Sequence, residues 1–233
     1  MGKPNLETRK IGEIVTDNFK TAEIFKKFGI DFCCGGNVSL QQACDEKNLN
    51  ISVLSKELLI LDDQPQDNNY NFKKWNLDFL CDYIVNTHHK TVLKLLPQLM
   101  SYTQKIADVH GTNHPELTQI ATLFSQINDE LFPHLKNEEE ILFPAIKDVL
   151  KTGSGHSKEI ITSEIARMSK EHEFAGEAMD RINKLSSNYL LPADACNTYT
   201  VTFKLLEQFE DDLHIHVHLE NNILYPKALA LLN

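Results

Sequence analysis

The chain has 233 residues, with 23 Lys plus Arg against 33 Asp plus Glu, 10 His and 5 Cys, and a formal charge of -10 with neutral histidines. An apolar fraction of 42% beside 24% charged residues excludes a disordered chain and a membrane bundle. The acidic balance excludes a general affinity for nucleic acid or an anionic bilayer, since both need a positive surface.

The start, Met1-Gly2-Lys3-Pro4-Asn5-Leu6, has no apolar signal run and lacks the Ser or Thr that myristoylation needs. Five cysteines without regular spacing do not make a secreted disulfide framework, so a reducing, cytoplasmic setting is expected. Period-2 alternation is nearly absent while apolar residues recur three and four apart, which predicts an all-α protein. Residues 8 to 62 read as short helices: Phe19 to Phe28 closed by Gly29, a second opened by Ser39 as N-cap, and a third opened by Ser52. Between the first two lies Asp31-Phe32-Cys33-Cys34-Gly35-Gly36. The run from Asp62 to Asn69 has no apolar residue and reads as a linker. Downstream, four long amphipathic segments, about 76 to 104, 115 to 150, 157 to 186 and 194 to 231, are joined by breaks such as Gly153-Ser154-Gly155. This is the pattern of a four-helix bundle. The expected organisation is a small helical domain over 1–62, a linker over 63–75 and the bundle over 76–233.

The bundle contains a repeat. His134-x-x-x-Glu138 followed by Ile141-Leu142-Phe143-Pro144 lies over His216-x-x-x-Glu220 followed by Ile223-Leu224-Tyr225-Pro226, without a gap. His89 precedes His134, and His172 precedes His216, at nearly equal spacings. Two helical hairpins related by a pseudo-two-fold are implied, each bringing a His and then a His-x-x-x-Glu.

That motif puts both side chains on one helix face a turn apart, where they reach a common centre. One such pair arises readily by chance, so the specificity lies in the shared flanks, the matched hairpins and the expected burial. His216 shares its stripe with Phe209, Leu213, Leu219 and Ile223, while His214 and His218 point away with Glu207, Glu210, Asp211 and Asn221. His134 falls with Phe124, Ile127, Leu131 and Ile141, and His172 with Ile165, Met168, Ala175 and Met179. A carboxylate on such a stripe is costly unless paired or metal-bound, which singles out Glu138 and Glu220; Glu139, Glu140, Asp211 and Asp212 read as solvated charge. Four imidazoles with two bridging carboxylates suit a two-metal site. The mixed donors argue for iron over zinc, with manganese left open. Cys44, Cys81 and Cys196 read as inert buried thiols.

With these motifs and Glu171-His172-x-x-Ala175-Gly176, the second half resembles a hemerythrin-like bundle. From about residue 8 to its end the whole chain resembles the bacterial di-iron repair-of-iron-centres family. The resemblance implies that His89, rather than His88, joins His134, Glu138, His172, His216 and Glu220 around two iron ions, expected to be oxo-bridged. Oxygen-carrying hemerythrins use a fifth histidine, and His110 falls where this family often keeps another, as a ligand or gate. Pro133 departs from the helix-friendly residue expected there and should break the local hydrogen bonding, shifting His134.

The function implied is repair of iron-sulfur clusters damaged by nitrosative or oxidative stress, through iron donation, with damaged iron-sulfur proteins as clients and nitric oxide or oxygen as small ligands. Cys33 and Cys34 would form an exposed dithiol that receives iron, supplies electrons or meets the client, beside two glycines that free the backbone. A homodimer is compatible with this reading. Reduction of nitric oxide at the same centre, or a sensor or carrier without catalysis, are the alternatives.

Overall fold

The computed structural model describes residues 5–62 and 71–232. Among them are eleven α-helices and no strand, only an isolated bridge between Lys10 and Ser39. No helix among them is long and apolar enough to cross a membrane.

The N-terminal unit holds α1 (Ile11–Asp17), α2 (Thr21–Lys27), α3 (Leu40–Glu46) and α4 (Ile51–Asp62). Helix α2 stops at Phe28 and Gly29, whose φ of 63° is the left-handed turn that glycine takes most easily. Ser39 caps α3 in a full capping box with Gln42. Helix α4 starts one residue before Ser52, and its cap is Asn50, whose Oδ1 accepts the Ser52 N–H at 2.9 Å. Helix α1 is too short to show a period, yet it buries Ile11, Ile14 and Val15. Of the stretch expected as a linker, 63–70 lies outside the described residues. Beyond it Phe72 is buried, edge-on to Trp75 and Phe19.

Three of the four bundle helices are interrupted by a π turn. The first is α5 (Leu77–Ile84), a π turn Val85–His89 and α6 (Lys90–His110). The second is α7 (Glu116–Asn137), a π turn Glu138–Leu142 and α8 (Phe143–Thr152). The third, α9 (Gly155–Leu185), runs without a break, and the fourth is α10 (Asn197–Leu219), a π turn Glu220–Leu224 and α11 (Tyr225–Ala230). Helix α6 packs on α7 and α10, and α7 packs on α9.

The repeat explains two of these turns. Pro144 and Pro226 have no N–H to donate and crowd the carbonyl four residues back, and both sit just after the widened turn, which relieves that clash. The extra residue rotates the rest of the helix. Ile141, expected inside with His134, is exposed, and Leu142 takes the buried position. Pro133 does not have the effect expected of it. Helix α7 continues through it to Asn137, because it sits on the exposed face, where water can reach the carbonyl it leaves without a donor.

The apolar core falls into two clusters. One joins the N-terminal unit to the half of the bundle running from Val92, Leu135 and Ala175 to Val217; the other holds Leu80, Ile84, Leu142, Met168 and Leu219. The histidines and glutamates of the repeat fall where the two clusters meet along the bundle helices, so polar groups interrupt the core there.

The N-terminal unit packs closely against the last π turn. A Cβ on Gly12 would lie 2.0 Å from Asn222 Oδ1, and one on Gly36 would lie 2.6 Å from that atom and 2.8 Å from the Phe32 carbonyl oxygen. Gly36 is therefore needed for close approach, and Gly35 is tightly placed, since a Cβ on it would lie 3.1 Å from Asp31 Oδ2. Neither has a positive φ, so backbone freedom is not their role.

Candidate metal centre

The six residues singled out by the repeat and its resemblance come together. His89, Glu138, His216 and Glu220 each bring one donor atom within 4.8 Å of the others, and so do His134, Glu138, His172 and Glu220. The two sets share both carboxylates. All six side chains are buried.

Each imidazole turns Nε2 toward the centre. His89 Nε2 lies 3.3 Å from Glu138 and 4.0 Å from Glu220, and His134 Nε2 lies 3.4 Å from Glu138. His172 and His216 each lie 3.1 Å from Glu220, on different oxygens. Tyr225 Oη donates to Glu138 Oε1 at 2.8 Å, and its ring lies parallel to that of His172.

Two fully buried carboxylates that pair with no lysine or arginine among the described residues would be costly without a counter-charge. Burial would push His89 down, but Glu138 and Glu220 outweigh it and hold the imidazole up at about 10. Burial is likewise outweighed at His134, mainly by Glu138 and Glu171, again up to about 10. Burial and Glu220 would raise Glu138, yet His134 and His89 hold it at about 2. Glu220 is held well below the carboxylate range by His216, His172 and His89 against its burial. Even so, His89 Nε2, Glu138 Oε2 and Glu220 Oε2 are buried without a hydrogen-bond partner among the described residues. Cations at the centre would satisfy these atoms, so the donor set fits metal binding.

Sequence reasoning misses the groups that hold the imidazoles. Glu139 Oε1 meets His89 Nδ1 at 2.8 Å, Glu171 Oε2 meets His134 Nδ1 at 2.7 Å, and Asn221 Oδ1 meets His172 Nδ1 at 3.0 Å. By sequence Glu139 reads as solvated charge and Asn221 as pointing away. The available signal is adjacency, since each follows or precedes a cluster residue in the chain. His218 and Glu210, also expected to face solvent, are buried. The N-terminal unit covers that side of α10, and His218 Nδ1 lies 3.3 Å from the Phe32 carbonyl.

His110 is not at the centre. It ends α6, about 30 Å along the helix from His89 at 1.5 Å per residue, and its Nε2 lies 3.2 Å from Cys196 Sγ. Cys44 and Cys81 are buried thiols as expected, but Cys196 is exposed. As N-cap of α10 it accepts from the Tyr199 N–H, and with His110 this lowers its thiol to about 7.

The Cys33-Cys34 loop lies against the same part of the bundle. Asp31 Oδ1 accepts the N–H of Cys33 at 2.8 Å and of Cys34 at 3.1 Å, and Oδ2 accepts that of Gly35 at 2.8 Å. Asn222 donates to the Cys33 carbonyl at 3.0 Å, and Cys34 Sγ lies 3.4 Å from the His172 carbonyl oxygen. The pair is less open than expected: Cys33 is buried and Cys34 half-buried. Hydrogen bonding with Cys34, burial and the Asp31 charge push the Cys33 thiol well above its ordinary value, so it stays protonated. Cys33 borders a cavity of about 370 Å³ shared with Asp31, Tyr189, Glu210 and His214.

Comparison with known proteins agrees with this geometry. Residues 82–228 match the hemerythrin HHE cation binding domain, and residues 7–62 match a domain of unknown function, DUF542. The chain is 37% identical over 221 residues to the iron-sulfur cluster repair protein ScdA of Staphylococcus haemolyticus, covering 93% of this chain and 96% of that protein. It is 34% identical over 223 residues to the iron-sulfur cluster repair protein YtfE of an Enterobacter species, covering 94% and 96%. It is also 34% identical over 224 residues to a probable iron-sulfur cluster repair protein of Haemophilus influenzae, covering 95% and 96%.

Proposed function

Because this chain belongs to the family of iron-sulfur cluster repair proteins, we propose that it restores damaged clusters by giving up iron from a di-iron centre. In this reading His89, His134, Glu138, His172, His216 and Glu220 hold the two ions. The observation that carries it is the pair of four-residue sets sharing two buried carboxylates. Bound iron supplies cargo for the client and open positions for a small ligand such as nitric oxide or oxygen.

The protein groups have separable tasks. Glu138 and Glu220, which belong to both donor sets, would hold the ions through oxygen, which releases iron more readily than an all-thiolate cage. Glu139, Glu171 and Asn221 fix the imidazole rings through Nδ1, leaving Nε2 free to ligate. Tyr225 steadies Glu138 from the buried side. The Cys33-Cys34 thiols would receive a departing ion or meet the client, and Cys33, held protonated by its neighbours and by burial, would release its proton to solvent on ligating. A reducing, cytoplasmic setting keeps these thiols available. The organisation proposed is a Cys-Cys unit seated on a metal-holding bundle.

The test is transfer. Iron-loaded full chain, mixed anaerobically with a cluster protein damaged by nitric oxide, should restore the client's activity while losing its own iron. Restoration at the same rate by metal-free chain would overturn the donation reading.

A further inference from the structure

The contacts behind the imidazoles obey a rule around the bundle. Asn221, next to Glu220 on the fourth helix, holds His172 on the third. Glu171, next to His172, holds His134 on the second. Glu139, next to Glu138, holds His89 on the first. The remaining place falls to His88, next to His89, which faces His216 on the fourth helix. His88 does not fill it. Its ring lies flat on that of His216, centroids 5.6 Å apart at 10°, and its Nδ1 is committed to Asp212 at 3.0 Å. His216 Nδ1 is left buried without a hydrogen-bond partner among the described residues.

We infer that the two metal positions are unequal, and that the ion held by His89 and His216 is the labile one and leaves first. This rests on the reading that the six residues hold two ions. A hydrogen bond on the outer nitrogen fixes the ring's tautomer and orientation and strengthens it as a donor, and losing it costs about 10- to 100-fold in metal affinity. Both imidazoles of the other position are held. Glu171 is itself braced by Arg167 at 3.7 Å, and Tyr225 lies parallel to His172 with ring centroids 5.9 Å apart. The break in the ring makes one ion available while its partner keeps the bundle assembled.

The experiment is stopped-flow extraction of Fe²⁺ from the fully loaded, anaerobic full chain into an excess of ferrous chelator. Two phases of about one equivalent each are expected, separated by about tenfold or more. His216→Ala should retain only the slow equivalent and His172→Ala only the fast one. Asn221→Leu should speed the slow phase by about 10- to 100-fold and leave the fast phase in place. Glu171→Gln, a milder change, should act in the same direction if Asn221→Leu fails to fold. His88→Gln, which offers an amide oxygen to His216 Nδ1, should slow the fast phase. A single rate for both equivalents, or survival of the fast equivalent in His216→Ala, would overturn the inference. A wild-type chain that never loads more than one equivalent would overturn the two-ion reading and this inference with it.

Discussion

In the metal-free chain the centre balances its carboxylates with protons, so metal uptake must be paired with proton release. His89 and His134 are both held up at about 10 and each carries an extra proton at neutral pH. A cation taking the same Nε2 atoms displaces both. Protons compete with the metal, so affinity rises with pH until the imidazoles lose their protons near 10. Two displaced protons make the combined affinity for two cations rise about 100-fold per pH unit, or about 2.7 kcal/mol at 1.36 kcal/mol per proton. Metal-free full chain would be titrated with Co²⁺ at pH 7.5 in weak buffer containing a pH indicator. About two protons should appear per chain at saturation. Saturation without measurable proton release, or an affinity flat between pH 6.5 and 8.5, would refute the reasoning.

Other perturbations test separate parts of the account. Burial raises Glu210 to about 6, above its unfolded value, so its stabilising effect is full at low pH and lost as pH rises through 6. Glu210→Gln should therefore stabilise the chain by up to about 2 kcal/mol at pH 8 and by almost nothing at pH 4 in urea melts; equal effects at both values would contradict this. Gly36→Ala forces a Cβ against the Phe32 carbonyl and Asn222, and should cost about 2 to 4 kcal/mol from overpacking and a lost hydrogen bond. A loss under about 0.5 kcal/mol would show that this approach is slack. Iodoacetamide at pH 7 should label Cys196 well before Cys81, whose thiol burial pushes up to about 12, and His110→Gln should slow that labelling in peptide mass spectra. Replacing Cys33 and Cys34 together by Ser should leave the bundle's metal in place and abolish repair; wild-type repair by that variant would reduce the pair to a structural element.

The fold is legible where one signal suffices. Long helical periods mark the four bundle segments, Gly29 and Ser39 mark helix ends, and the repeat with its hairpin spacing marks the polar residues that meet at the centre, the family resemblance choosing His89 over His88. The features that do not show in the sequence need information from two parts of the chain at once. His218 and Glu210 lie on the polar face of α10 by period, and only docking of the N-terminal unit buries them. Ile141 faces outward because a π turn adds a residue to its helix, a shift whose only trace in the sequence is the pair Pro144 and Pro226. Glu139, Glu171 and Asn221 each act on a ring of the neighbouring helix, so no pattern within their own helices could reveal their partners. Cys196 takes its character from the Tyr199 N–H that it caps and, across the fold, from the distant His110.

The most direct test of the central claim is the iron content and Mössbauer spectrum of anaerobically purified full chain beside its His134→Ala and Glu138→Ala variants. About two irons per chain are expected in the wild type, with the loss of about one or more and an altered spectrum in each variant. Zinc in place of iron, no metal after iron reconstitution, or full occupancy with an unchanged spectrum in both variants would contradict the claim.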